Sequence, residues 1–362
     1  MRKRQRERPR RGIMTAAMIC CLIVLLLIIL NPFQIPSQEE KNPETDTPIH
    51  ALPTNDMQSL PSNSITFEAD LTATPESGLP ATIVWMSDTQ GYSRRYPEIF
   101  ESMTNWIADQ QDALNIQYVL HTGDVVDNFD DMRQWENAEK ALSVLEGKVP
   151  LFVVAGNHDI HGTNQEYGAY LELFGEKRFE TLPTFGGSYR SGRGRYDLVS
   201  IEDVPVIFMS TGYGMGYGVD DEAMTWMNEI LQKYSDRFAV LVFHSYMDPD
   251  GSFSTDGGVL FEKVVKKNPN VGLVLCGHRH GVNHTAVQID DNGDGAPDRT
   301  VYQMVADYQD ESKSGGGYMG LLTFNRAERT ISVNTYSPYL DDYICHDGKK
   351  ELEEFTLPWD FK

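Results

Sequence analysis

Five short clusters of acidic, amide and imidazole residues punctuate this 362-residue chain. They are Ser87-Asp88-Thr89-Gln90, Gly123-Asp124-Val125-Val126-Asp127, Gly156-Asn157-His158-Asp159, Phe243-His244 and Gly277-His278-Arg279-His280. Taken singly each is weak, since an Asp after a strand is more often a helix cap and a single His a packed side chain. Five at equivalent places are hard to explain as caps and point to a shared metal centre. Asp, Asn and imidazole without a cysteine cluster suit hard-to-borderline divalent ions such as Mn, Fe, Zn or Mg. Two such ions roughly 3.5–4 Å apart, sharing a carboxylate and a water, let that water lose a proton near neutral pH. It can then attack an ester phosphorus in line.

The elements that must position these clusters are legible as apolar runs. Ala81–Met86, Tyr118–His121, Leu151–Ala155, Val206–Ser210, Phe238–Phe243 and Val271–Cys276 read as buried strands. Helical periodicity falls between them. Pro97–Gln110 sets Ile99, Met103, Trp106 and Ile107 on one face, and Trp135–Leu145 repeats the pattern. Further helices are expected near Glu222–Leu231 and Leu260–Lys267. Beyond His280 only strands are expected, at Thr285–Ile289, Thr300–Val305, Leu321–Phe324 and Ile331–Tyr336. Parallel β-α-β units followed by antiparallel strands predict an α/β fold with two mixed sheets packed face to face and helices outside. The clusters then sit at the carboxyl ends of strands, where open α/β sheets place ligands.

In this order, Asp88-x-Gln90, Gly123-Asp124-x-x-Asp127, Gly156-Asn157-His158-Asp159, His244 and Gly277-His278-x-His280 resemble the motifs of the calcineurin-like metallophosphoesterase superfamily. The resemblance runs over Ile83–His280 and implies a four-layer αββα sandwich whose second sheet the later strands complete. It implies that Asp88, Gln90, Asp124 and His280 hold one ion, and that Asp124 bridges to a second held by Asn157, His244 and His278. His158 would donate a proton to the leaving oxygen or stabilise its charge, with Asp159 orienting the imidazole. Asp127 would fix the ligand loop without touching metal. Two positions depart from the pattern. The first motif usually ends in His, and Gln90 offers a weaker, neutral oxygen that favours a harder ion or looser binding. The second is usually followed by Arg, and Asn128 stands there, so no phosphate-binding role transfers to it.

Charge narrows the partners. The chain carries −22 net, yet residues 1–12 hold seven Lys/Arg and one Glu, which leaves −28 on the remainder. So acidic a body repels polyanions, and no nucleic-acid partner is expected. A phosphate substrate is still compatible, because bound ions supply local positive charge. Next comes Ile13–Leu30, an uncharged run that at about 1.5 Å per residue spans roughly 27 Å, near the hydrocarbon thickness of a bilayer. Its basic flank should stay in the cytoplasm, giving a single-pass signal anchor with the catalytic body outside. A cleaved signal peptide is the rival, although no small-x-small cleavage site follows. Residues 31–64 read as a Pro-rich linker and 65–362 as the folded domain, with Ile65–Leu71 as an edge strand. Four cysteines, two of them (Cys20 and Cys21) inside the apolar run, cannot form a disulfide scaffold.

Two loops carry weaker signals. Asp290, Asn292, Asp294 and Asp298 space oxygens as a calcium loop does, but Val301 stands where the late bidentate Glu belongs. An Asx/Gly-rich hairpin is the alternative. Thr211–Gly218 alternates Gly with Tyr213 and Tyr217, either as a substrate-facing loop or as a connector. The expected function is a membrane-anchored, extracytoplasmic, dinuclear-metal hydrolase of phosphate mono- or diesters, acting on a small-molecule or cell-envelope substrate. The alternatives are a non-catalytic envelope or adhesion module on the same scaffold, and a secreted nuclease.

Overall fold

The computed structural model describes residues 78–162, 166–213, 220–343 and 349–361. The strands are β1 (Ala81–Met86), β2 (Ile116–His121), β3 (Leu151–Val153), β4 (Phe185–Tyr189), β5 (Gly194–Ile201), β6 (Val204–Thr211) and β7 (Phe238–Val242). Then come β8 (Val271–Cys276), β9 (Gly281–Ile289), β10 (Arg299–Asp307), β11 (Met319–Asn325), β12 (Thr330–Ser337), β13 (Asp342–Tyr343) and β14 (Phe355–Pro358). The main helices are α1 (Gln90–Arg95), α2 (Pro97–Asp109), α3 (Met132–Leu142), α4 (Gly168–Phe174), α5 (Asp221–Lys233) and α6 (Thr255–Leu260).

One sheet runs β13-β12-β11-β1-β2-β3, with β14 also on β12. The other runs β4-β5-β6-β7-β8-β10-β9. Side-chain alternation assigns the layers. Ile83 and Trp85 of β1, with Tyr118, Leu120, Phe208, Val240 and Leu275, fill the core between the sheets. Val84 and Met86 point the other way, onto Ile99, Phe100, Met103 and Ile107 of α2 and Ala138 and Leu142 of α3. On the second sheet Met209 and Leu241 face outward onto Met224, Met227 and Leu231 of α5. The result is a four-layer αββα sandwich. Strands buried on both faces need apolar residues at every position, which is why they were readable as unbroken runs.

Local chemistry sets the helix starts. Pro97 opens α2, where a missing N–H costs nothing. Asp131, Asp220 and Ser254 cap α3, α5 and α6 by accepting from the amides of Arg133, Glu222 and Gly257.

The structure adds short helices at Ser312–Gly315 and Lys350–Glu353 and the strands β13 and β14 to the strand-only tail expected beyond His280, and departs from the sequence reading in two larger ways. β10 pairs parallel with β8 rather than joining an antiparallel tail, because β9 folds back as the outer strand of the β9–β10 hairpin. And β4 and β5 were not expected. Arg195 and Asp197 of β5 form a buried ion pair, the Tyr118 hydroxyl donates to Asp197, and the guanidinium lies 3.8 Å from the centre of the Phe179 ring. Charged residues interrupt an apolar pattern, so the strand was hidden by its own internal pairing. Cys276 is a free, buried thiol. The basic segment, the Ile13–Leu30 run, the linker, the Ile65–Leu71 strand and Cys345 lie outside the described residues. Among the described residues no helix is long and apolar enough to cross a membrane.

Candidate metal centre

Both sheets direct the carboxyl ends of their parallel strands to one place. From the first come Asp88 after β1, Asp124 after β2 and Asn157 beyond β3; from the second come His244 after β7 and His278 after β8. The chain turns sharply to do this. Asp88, Asp124 and His278 take left-handed backbone angles, with φ of 52°, 53° and 72°, a conformation that Asp tolerates better than most residues. Neighbouring loops close tightly on these side chains. A Cβ on Gly156 would fall on the Asp124 carboxylate, and one on Gly277 on that of Asp88, so both motifs must begin with glycine.

Asp124, His244 and His278 gather with their ligand atoms within 4.8 Å of one another, the sole such His/Cys/Asp/Glu set among the described residues. His244 donates from Nδ1 to the Thr122 carbonyl at 2.9 Å, which turns Nε2 inward, 2.9 Å from Asn157 Oδ1 and 3.4 Å from Asp124 Oδ1. Burial alone would push this imidazole down, yet the Asp124 carboxylate holds its proton on up to about 10. Burial would likewise raise Asp124, but His244 and His158 outweigh it and keep that carboxyl below its ordinary range. Burial, reinforced by the His244 charge, lowers His278 to about 3, which leaves a neutral ring with a lone pair to give.

The other expected ligands form a looser group. Gln90 Nε2 donates to Asp124 Oδ2 at 3.2 Å, while its buried Oε1 has no hydrogen-bond partner. Asp88 accepts from the His278 amide at 3.1 Å and from the Ser87 hydroxyl. Burial and the nearby Asp307 carboxylate push Asp88 well above the usual carboxylate range. His280 is half-exposed, with Nδ1 2.7 Å from Asp310 and Nε2 3.8 Å from Asp307 Oδ2.

Around these groups the structure assigns partners that the sequence did not reveal. The His158 amide donates to Asp124 at 2.8 Å, and its Nδ1 lies 2.8 Å from the Asp127 carbonyl oxygen. Asp159 does not reach that ring. Its carboxylate accepts from the amides of Val126 and Gly156, tying two ligand loops together. The Asp127 carboxylate pairs with Arg94 at 2.9 Å. His121, given no role by the sequence, is fully buried and accepts at Nδ1 from the Gly123 amide, so Nε2 donates to Thr89 Oγ1 at 2.9 Å. Burial pushes it down to about 3, making it a neutral brace between the loops of Asp88 and Asp124. Tyr213 packs its ring 5.4 Å from His244 and 5.5 Å from His278; Tyr217 lies outside the described residues. In the calcium-type loop, Asp290 accepts from the amides of Gly293 and Gly295, and Asp298 from those of Asp291 and Asn292. That is Asx-turn chemistry within a hairpin.

An αββα sandwich with carboxylate, amide and imidazole groups converging from both sheets defines a metal-dependent phosphoesterase scaffold. The calcineurin-like phosphoesterase family model matches residues 81–282, and the chain belongs to that family. It is 46% identical over 284 residues to the uncharacterized protein YvnB of Bacillus subtilis (strain 168), which covers 78% of this chain and 22% of that protein. The chain therefore spans about a fifth of that relative's length. Among solved structures, the purple acid phosphatase PPD1 from yellow lupin (Lupinus luteus) seeds shares the fold. The TM-score is 0.52 and the identity 14%, over 77% of this chain and 53% of that one.

Proposed function

We propose that this chain hydrolyses phosphate mono- or diesters at a centre for two divalent ions. The observation that carries the reading is the convergence of Asp124, His244 and His278, with Asn157 Oδ1 against His244. The residues fit cations. Acceptors and imidazoles face inward, and the unpartnered Gln90 oxygen lies on an amide already bound to Asp124. On this reading Asp88, Gln90, Asp124 and His280 take one ion, and Asp124, Asn157, His244 and His278 the other. When bound, such ions polarise phosphoryl oxygens and make water acidic near neutral pH.

The protein's own groups do the rest. With Nδ1 of His158 held by the Asp127 carbonyl, Nε2 is the atom free to pass a proton to the leaving oxygen. Tyr213 walls one side against both imidazoles, where an organic substituent of the ester would lie. We further place the catalytic body outside the cytoplasm, anchored by Ile13–Leu30, on the strength of that run and its basic flank. Small or envelope phosphoesters would then be its substrates.

The test is release of product from chromogenic phosphomonoesters and phosphodiesters by the full chain, stripped of metal and reloaded with manganese. Turnover should require metal, and His158→Ala should lower it by about 10²–10³-fold with metal content unchanged. Equal turnover in the wild type and His158→Ala would remove the acid role. No turnover by the loaded wild type on any ester would favour a non-catalytic module on this scaffold.

A further inference from the structure

The proposed centre holds a carboxylate that no motif announces. Asp307 ends β10, the strand parallel to β8, and so stands at the same sheet edge as His278. Its side chain is completely buried. Among the described residues its hydrogen-bond donors are the backbone and side-chain amides of Gln309, at 3.0 and 3.2 Å. Among the described residues no Lys or Arg pairs with Asp307 or with Asp88, the second buried carboxylate beside it. Two adjacent carboxylates shielded from water call for a cation, since neither solvent nor a Lys or Arg offsets their charge.

The surroundings indicate where it would sit. Asp310 takes the Nδ1 hydrogen of His280, which leaves Nε2 as a lone-pair donor aimed at Asp307. A carboxylate holding the far nitrogen of a ligating histidine is the usual outer support of a metal site. The gap from Nε2 to Asp307 Oδ2 is 3.8 Å. Ligands about 2.1 Å from one ion stand roughly 3–4 Å apart, so the gap accepts a cation with little movement. Independently, the Gln90 side-chain oxygen, on a residue only 3% exposed, has no partner.

We propose that Asp307 is a further ligand of the first ion, shared with Asp88, Gln90 and His280, and that Asp310 is the positioning residue that presents His280 to it. This rests on the two-ion reading above. An anionic oxygen from β10 would thereby offset the neutral amide that Gln90 supplies in place of an imidazole, and the first site would favour a hard, oxygen-preferring ion.

The experiment titrates the metal-stripped full chain with Mn(II), following free ion by electron paramagnetic resonance and the coupled-pair signal of adjacent ions. The wild type should bind two ions per chain. Asp307→Asn keeps the shape and one Gln309 contact; it should retain one ion, weaken the other by about 10–100-fold and abolish the coupled signal. Asp310→Asn, at an exposed position that cannot unsettle the core, should weaken the same ion by a smaller factor. If Asp307→Asn does not fold, the Asp310→Asn result decides, and unchanged affinity there overturns the proposal. Two ions bound with wild-type affinity and coupling in Asp307→Asn would overturn it while leaving the two-ion reading intact. A wild type that binds no manganese would overturn both.

Discussion

The two halves of the proposed centre solve the same electrostatic problem differently. Around Asp124, Asn157, His244 and His278 the charge is already balanced, because the Asp124 carboxylate faces an imidazole that keeps its proton to about 10. Around Asp88, Gln90, His280 and Asp307 it is not. There burial raises the proton affinity of both carboxylates, Asp307 adds to the rise at Asp88, and an amide oxygen goes unbonded. On the two-ion reading, a proton on the His244 nitrogen stands where a cation would in one half, and the raised proton affinity of two buried carboxylates marks the place in the other. The comparison teaches that a gathered set of ligands is not by itself the sign of the hungrier site. Unsatisfied polar atoms are the better sign.

Three experiments bear on this contrast. The largest effect should come from Asp124→Ala, since this carboxylate touches both halves through His244 and Gln90. Both ions should be lost and turnover should fall by at least about 10³-fold. Retention of one tightly bound ion, measured by elemental analysis after dialysis, would show that the halves are independent. A second effect is set by pH. His244 carries its proton below about 10, so ion binding at lower pH must expel it. Affinity at that half should therefore rise up to about tenfold per pH unit between roughly pH 7 and 9, levelling off once the imidazole is already neutral. Calorimetry in buffers of different ionisation enthalpy would count the protons released, and a flat profile would contradict a protonated His244. The smallest effect is expected from Gln90→His, which puts an imidazole in the weaker half. It should tighten the first ion by roughly 3–10-fold and shift its preference toward zinc, as read by competition between zinc and manganese.

Much of the scaffold was readable because buried parallel strands and the residues that follow them obey simple rules. β1, β2, β7 and β8 match the sequence reading within a residue or two, and Asp124, His244 and His278, which follow the last three, do converge. What escaped reading did so for physical reasons. β5 was lost because Arg195 and Asp197 satisfy each other inside the core, a pairing invisible along one strand. Asp307 follows an apolar run just as Asp88 and Asp124 do, yet in sequence that run reads as part of an antiparallel tail, away from the ligand edge. Only the parallel register with β8 brings its end to the ligand edge. His121 and Asp159 illustrate the same limit. Their roles depend on which backbone amides lie nearby, and spacing does not encode that.

Because the ligands come from the carboxyl edges of both sheets, any ion bound there also rivets one half of the sandwich to the other. Occupancy at a hundred times the dissociation constant would add about 2.7 kcal/mol to the folded state. The amount of intact protein in a cell should then follow the supply of trace metal, with starvation exposing the chain to proteolysis before any shortage of substrate is felt.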